Sequence, residues 1–461
     1  MDDPNRNIYK SNVDFATLAL QDKEFAKYLK GDGQLDFMDP DAMRQLTKSL
    51  LKRDFKLDIE LPEDRLCPPV PNRLNYVLWI QDLINCTPMN AEPDSKNMAS
   101  KITGLDIGTG ASCIYPLLAC SMQPQWHIYA TELDQTSAQY AQQNVDKNHL
   151  SNQITVIPVT SAQGPLIPFD KLSHNFMHFT MCNPPFYESQ EELIASAAAK
   201  SQLPFSACTG SAVEMVTSGG EVAFVSRMIE ESVKLQKKVQ WYTSMLGKLS
   251  SAETLITKLK GVGVSNYAVT ELVQGNKTRR WAIAWSWMDY RPAAQVARNL
   301  KSIPKHFLPF PSEFAFHPTS TSVSKVITAI QTEIESLGVP WHWDSTRALG
   351  IGWTSENAWS RHARRKRRRE GEPLPQPTYP DALLGFSVSV RMKDVSNTEV
   401  LVHWMKGDDQ AMFESFCGML KRRVGESLTR GIFEEEPGIY ITVDSLRCGE
   451  SNLTLANRYD T

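Results

Sequence analysis

Between residues 101 and 290 short apolar runs alternate with helix-length amphipathic stretches, and this alternation constrains the fold more than any other feature of the chain. Such a pattern marks βαβ units, whose strands stack in parallel with helices over both faces. Residues 102–107, 126–133, 154–159, 176–182 and 239–246 read as strands, with helices over 114–122, 137–149, 222–235 and 252–260. Residues 267–273 and 281–288 then read as a closing antiparallel pair. The spacing predicts a doubly wound α/β sheet of seven strands.

The remainder of the 461 residues is enough for further folded units on either side. Residues 1–100 carry helical spacing, with Phe15, Leu18, Phe25 and Tyr28, then Met43, Leu46 and Leu50, then 74–84. This is expected to be a helical extension. Residues 291–312, with Pro304, Pro309 and Pro311, read as a linker. Residues 313–448 read as an α+β unit with strands over 313–317, 339–343, 384–392 and 400–405 and helices over 324–337 and 410–424. Residues 449–461 are left as a tail. Within the second unit Arg361 to Arg369 holds seven Arg or Lys in nine positions, expected as a basic loop running on to Pro380. The net charge of −3 gives no global reason to bind nucleic acid, so any such partner must be held by local patches. Eight cysteines without a C-x-x-C pair favour reduced thiols in an intracellular protein, and no apolar run approaches membrane-spanning length.

Three motifs fall at the ends of the predicted strands. Leu105-Asp106-Ile107-Gly108-Thr109-Gly110 runs from a strand into a glycine turn and a helix, where backbone can approach a ligand and free N–H groups face it. Glu132 ends the second strand, where a carboxylate can accept from ribose hydroxyls. Asn183-Pro184-Pro185-Phe186-Tyr187 leaves the fourth strand. The prolines fix their own φ and donate no hydrogen bond, so the Asn183 side chain and the Pro184 carbonyl form two fixed acceptors, suited to an exocyclic –NH2 group. Phe186 and Tyr187 offer ring faces to a flat base. A dinucleotide fingerprint would place a third glycine at 113, where this chain has Cys. The ordered set suits S-adenosylmethionine (SAM), with the nucleoside across the first two strand ends and the sulfonium facing the fourth. Singly, each motif reads as a turn or a surface carboxylate; together they mark one sheet edge. Seven strands, the last two antiparallel, are the pattern of a class I methyltransferase core.

The chain resembles the methyltransferase-like protein 16 family, RNA adenine-N6 methyltransferases that modify U6 spliceosomal small nuclear RNA. The stretches that carry the likeness are Val70-Pro71-Asn72-Arg73-Leu74-Asn75-Tyr76, Asp106 to Leu118 (DIGTGASCIYPLL), Cys182 to Phe186, Gly219-Gly220-Glu221, Met245-Leu246-Gly247-Lys248 and Arg280 to Trp285, within roughly residues 5–290. The resemblance implies SAM contacts at Arg73, Asp106, Gly108, Gly110, Ser112, Glu132 and Asn183. It implies that Asn183 and Pro184 hold the adenine amine, next to Pro185, with Phe186 and Tyr187 stacking on a flipped base, in RNA of ACAGAGA type. No residue of 158–163 is assigned to the SAM contact that the family makes after its third strand. Nothing in the motif requires a metal.

For the RNA itself, Arg6, Lys10, Lys277 and Arg280 match positions that line an RNA groove in the family. Arg364, Arg365, Lys366, Arg367, Arg368 and Arg369 read as an RNA-binding arm or a nuclear-localisation signal. Each of these cations alone also reads as solvated surface charge. Trp341, Trp343, Trp353, Trp359 and Trp404 could stack on bases, though burial in a core is the commoner fate of such residues. The expected protein is an enzyme of the nucleus, or of nucleus and cytoplasm, with structured RNA as partner and neither DNA nor membrane. Two further readings stand beside it: a protein-glutamine N5 methyltransferase, because NPP-aromatic turns also present amide nitrogens, and a non-catalytic RNA-binding splicing factor.

Overall fold

The computed structural model describes residues 6–89, 101–192, 212–274, 278–319, 322–370, 377–394 and 397–434. Eight strands form the first sheet: β1 (Ile102–Ile107), β2 (Trp126–Glu132), β3 (Ile154–Pro158), β4 (Met177–Cys182), β5 (Val239–Leu246), β6 (Asn266–Gln274), β7 (Thr278–Ser286) and β8 (Arg298–Asn299). Their order across the sheet is 3-2-1-4-5-7-6-8. β7 lies antiparallel between β5 and β6, while β1, β2, β3, β4 and β5 run parallel. Every residue of β1 and β5 is buried, as expected of strands covered on both faces. The sheet reverses its winding between β1, which neighbours β2, and β4. At such a switch point strand ends diverge and leave a crevice.

Close packing across the middle of the sheet depends on Gly104. A Cβ there would lie 2.2 Å from the ring of Phe179, its register partner on β4. Phe179 is itself fully buried and tilts against Trp126.

The N-terminal helices are short and individually capped. Asp14, Asp22 and Asp39 accept backbone N–H bonds at the starts of helices Phe15–Gln21, Lys23–Ala26 and Pro40–Leu50. Helix Val70–Cys86 opens on Pro69-Val70-Pro71, where the missing proline N–H costs nothing. Its Tyr76, Val77, Trp79, Ile80 and Leu83 share one hydrophobic core with Leu18, Phe25, Leu46 and Leu50 and with helix Ile114–Met122. The helical extension is therefore packed into the sheet's flank.

The second sheet is antiparallel throughout. β9 (Glu313–Phe316), β10 (Trp341–Asp344), β11 (Leu349–Thr354), β12 (Leu384–Asp394) and β13 (Asn397–Lys406) are ordered 10-11-12-13-9. Helices Val323–Glu335 and Gln410–Glu434 cover it through Val326, Ile330, Phe413, Phe416 and Leu420, against Val388, Val400 and Val402.

Two expectations change, and one strand stands where none was expected, Leu349-Gly350-Ile351-Gly352-Trp353-Thr354. The space above its glycines is filled by Trp341, whose ring would lie 2.0 Å from a Cβ at Gly350. The basic run is helical, Arg361–Glu370, rather than a loop. Ser360 accepts from Ala363 N at 3.0 Å, Trp359 and Ala363 are buried, and Arg and Lys are good helix formers. Finally, residues 292–312 do not form a free tether. They add β8, which pairs with Val269 and Thr270 of β6, and they bury Val296, Ala297, Leu300 and Ile303.

Candidate functional site

A cavity of about 330 Å³ opens at the carboxyl ends of β1, β2 and β4. Gly108 and Gly110 form its floor in left-handed conformations, φ 73° and 67°. Cys113, at the third-glycine position of the dinucleotide fingerprint, also has positive φ, 49°. The backbone therefore makes the glycine-type turn there, with strain that a non-glycine residue carries only where surrounding structure enforces it. The turn is pinned by Gly108 N and Thr109 N, which donate to Thr131 O at 3.0 and 2.9 Å.

Glu132 closes the β2 end. Its Oε2 accepts from Gly110 N at 2.7 Å, and its Oε1 accepts from Leu133 N and Asp134 N at 2.8 and 2.9 Å. Burial raises its pKa, and the backbone donors partly offset this. The carboxylate is thus aimed before any ligand arrives. Beside it is a carboxylate that sequence reasoning missed, Glu214, which accepts from Leu66 N at 2.9 Å and also lines the cavity. Glu214 follows an Ala/Ser-rich stretch, and no local signal marks it.

Arg73 enters from helix Val70–Cys86. It is 5% exposed, and the contacts seen for its guanidinium are soft: Met245 Sδ at 3.4 Å and the Tyr115 ring at 5.5 Å. Among the described residues it makes no salt bridge. A buried cation without a carboxylate is costly unless a ligand supplies the anion.

Asn183, Pro184 and Pro185 line the far wall. Asn183 Oδ1 is buried and has no hydrogen-bond partner among the described residues. The strand end behind it is rigid: Cys182 N donates to the Tyr76 hydroxyl at 3.4 Å, and that hydroxyl lies 2.6 Å from Thr243 Oγ1. Phe186 and Tyr187 lie outside the cavity. The Phe186 ring packs on Gly247, where a Cβ would fall 2.9 Å from it, and the Arg280 guanidinium sits 5.4 Å from its centroid. Tyr187 exchanges backbone bonds with Met215 and Thr217 at 3.1 and 2.9 Å. Glu221, 2% exposed, supports this corner by accepting from Gly247 N at 2.6 Å and Lys248 N at 3.1 Å.

Ser112 lines the cavity, whereas Asp106 does not. Successive strand residues face opposite ways, and Asp106 points away from the apolar face that Leu105 and Ile107 share. It is fully buried, and burial, with Glu132 adding to it, pushes its carboxyl up to about 7 against the opposing Thr109 hydroxyl. Asp106 therefore stands behind the wall, its carboxyl oxygens without a hydrogen-bond partner among the described residues. After β3 the cavity is lined by Val159, Ser161 and Ala162, and not by Thr160. This segment is held by helix Gly220–Leu235, where Arg227 donates to Ala162 O and Gly164 O and Glu231 accepts from Leu166 N and Ile167 N at 2.9 and 3.0 Å.

The expected RNA cations are dispersed. Arg6 pairs with Asp82 and donates to Leu78 O at 2.9 Å, so it is not a free phosphate ligand. With Lys10 it borders a second cavity beside Asn75, Thr270 and Val273. Lys277 lies outside the described residues. Arg364 and Arg365 are exposed on helix Arg361–Glu370. Lys366, Arg367, Arg368 and Arg369 continue the same helix. Of the five tryptophans, Trp359 and Trp404 are core residues, and Trp341 and Trp343 pack against that core. Trp353 donates to Pro377 O at 2.7 Å.

A sequence model of an RNA methyltransferase family matches residues 4–289, the whole stretch that builds this cavity. The chain belongs to that RNA methyltransferase family. It is 37% identical over 399 residues to the U6 small nuclear RNA (adenine-(43)-N(6))-methyltransferase of Schizosaccharomyces pombe, covering 86% of this chain and 96% of that protein. The human METTL16 catalytic domain in complex with the MAT2A 3′UTR hairpin 1 aligns with TM-score 0.54 and 40% identity, over 62% of this chain and 95% of that one. The N-terminal domain of human METTL16 in complex with SAH aligns with TM-score 0.50 and 38% identity, over 62% and 98%. The fold is that of a class I methyltransferase domain carrying a separate antiparallel sheet, and SAM is the enzyme's cofactor. The donor set fits it. Arg73 can take the carboxylate of its amino-acid end, Glu132 its ribose hydroxyls, and the Gly108–Gly110 turn leaves room for the nucleoside.

Proposed function

We propose that this enzyme methylates N6 of an adenosine in the ACAGAGA-type sequence of U6 small nuclear RNA, with the base flipped into the Asn183–Phe186 turn. The enzyme is a SAM-dependent RNA adenine-N6 methyltransferase, in keeping with its family and with the names of its relatives. The observation that carries the finer reading is the buried Asn183 Oδ1, which has no hydrogen-bond partner among the described residues. A buried acceptor left unpaired costs about 1–3 kcal/mol, and an exocyclic amine would relieve that cost.

SAM supplies an electrophilic methyl group. The adenine amine is a poor nucleophile because its lone pair is delocalised into the ring. Asn183 Oδ1 and the Pro184 carbonyl would accept its two hydrogens and hold the nitrogen in a more tetrahedral form. Rigid placement of these acceptors lowers the barrier because little reorganises during reaction. Phe186, propped by Gly247, offers one face to the base, and Arg280 can move from the ring to a phosphate. Arg73, Gly108, Gly110, Ser112 and Glu132 are assigned to the cofactor. Lys10, Lys277, Arg280 and the exposed arginines of helix Arg361–Glu370 are assigned to the RNA backbone, and the site of action to the nucleus. No helix among the described residues is long and apolar enough to cross a membrane.

The test is transfer of labelled methyl from SAM to a hairpin bearing ACAGAGA, followed by digestion to nucleosides. Label is expected in N6-methyladenosine, and Asn183→Ala is expected to lower the rate about 1,000-fold while SAM still binds. SAM binding without transfer to this RNA would overturn the substrate assignment and favour methylation of a protein glutamine. Failure to bind SAM would leave an RNA-binding factor.

A further inference from the structure

The chain touches the second sheet at Asp289-Tyr290-Arg291, adds β8 to the first sheet, and meets the second again at Ser312, and both points of contact lie along one strand of the second sheet. Arg291 N donates to Met405 O at 2.8 Å and Gly407 N donates to Asp289 O at 2.8 Å, a short antiparallel ladder closed by the Tyr290–Lys406 bridge. Further along the same strand Trp404 N donates to Ser312 O at 2.7 Å. The intervening loop is drawn shut by Ser312 Oγ on Pro292 O at 2.6 Å and by Ala294 N on Glu313 Oε1 at 2.9 Å.

Two buried cations cross this joint in opposite directions. Arg291, 6% exposed, donates from Nε to Gly407 O and from Nη2 to Asp408, both at 2.9 Å, and lies 4.5 Å over the Trp404 ring. It also reaches back to Ser265 O at 3.3 Å on the first sheet's side. Lys406, 4% exposed, donates to Asp289 Oδ2 at 2.6 Å and to Ala382 O at 2.9 Å, under the Tyr290 ring. Gly407 permits the approach: it has φ 121°, and a Cβ there would lie 2.2 Å from Leu383 O. A flexible tether needs none of this. A buried cation held by partners across a joint favours one geometry, because the cation is left uncompensated when the surfaces shift.

We propose that Arg291 and Lys406 are positioning residues that lock the second sheet to the catalytic sheet as one body, so that RNA bound by helix Arg361–Glu370 meets the Asn183 pocket in a fixed register. This rests on the reading of that helix as an RNA contact. Two sites held rigidly on one ligand act at high effective concentration, an advantage lost when geometry loosens.

The test uses the full chain with saturating SAM and two RNAs, a minimal ACAGAGA hairpin and the same hairpin with long single-stranded flanks. The double variant Arg291→Met/Lys406→Met is expected to raise KM for the flanked RNA about 10-fold, leave kcat and the minimal hairpin unchanged, and speed proteolysis within 292–311. Should that variant fail to fold, Asp408→Asn, at an exposed carboxylate, is expected to shift the flanked-RNA KM in the same direction by about twofold. Equal losses on both RNAs, or faster proteolysis with an unchanged flanked-RNA KM, would overturn the proposal. Arg364→Glu/Arg365→Glu separates the two readings. If it leaves the flanked-RNA KM unchanged, the helix is no RNA contact and the proposal falls with it. If it raises that KM while the opened joint does not, rigid coupling alone falls.

Discussion

The two sheets treat buried charge in opposite ways. At the mouth of the first, Arg73 touches a sulfur and an aromatic ring and makes no salt bridge among the described residues, and Asn183 Oδ1 has no partner among them. On the second, Lys406 is matched by Asp289 and Ala382 O, and Glu399, 6% exposed, is matched by Arg391 and Lys393. Both arrangements cost desolvation, but only the second recovers it within the fold. Unrecovered cost at a cavity wall marks a place where a ligand can complete the structure. Recovered cost marks architecture.

The comparison can be broken at its packing first. Gly104→Ala drives a methyl into Phe179, which is fully buried and cannot move, and is expected to cost about 3 kcal/mol or more, near 10 °C in melting temperature. Gly350→Ala meets Trp341 at a similar distance, but that ring is only half-buried and can swing outward, so a loss of about 1 kcal/mol is expected. Equal losses by thermal and urea unfolding would contradict the difference in rigidity.

The charge contrast comes next. Arg73→Met is expected to weaken SAM binding about 10- to 100-fold by calorimetry while leaving the cofactor-free protein as stable as before, since it removes a buried cation that makes no salt bridge among the described residues. Arg291→Met is expected to do the reverse. It should lose about 1–2 kcal/mol of stability, because Gly407 O is left unpaired, and keep its affinity for SAM.

A pH dependence probes the same contrast at a buried carboxylate. Asp106 in the folded protein titrates at about 7, above its unfolded value, so the folded state holds a proton that the unfolded state has already released. Stability from this group is full below the unfolded pKa, near 4, and declines as pH rises to about 7, by about 4 kcal/mol in all at about 1.4 kcal/mol per pH unit. Asp106→Asn should flatten the unfolding free energy of the cofactor-free protein between pH 4 and 7. An unchanged slope would mean that Asp106 is not protonated behind the cavity.

Much of this protein was legible in local sequence because the relevant physics is local. Alternating strand and helix periods placed helix 114–122 and strand 239–246 at their observed bounds, and the glycine turn, Glu132 and the proline-locked Asn183 needed only strand ends to come together at one sheet edge. What tertiary structure alone decided depends on neighbours distant in the chain. Strand 349–354 exists because the Trp341 ring fills the space over its glycines. Glu214 joins the cavity through Leu66, far upstream. Asp106 was assigned to the cofactor by motif, yet it points behind the wall because strand pleating alternates its face with that of Leu105 and Ile107. Residues 292–312 carry the prolines of a linker but become a joint, because Arg291 and Lys406 find their partners across two sheets. Periodicity and turn chemistry are properties of a few consecutive residues, so the sequence states them directly. The pairing of buried charges is a property of the packed chain and is settled only there.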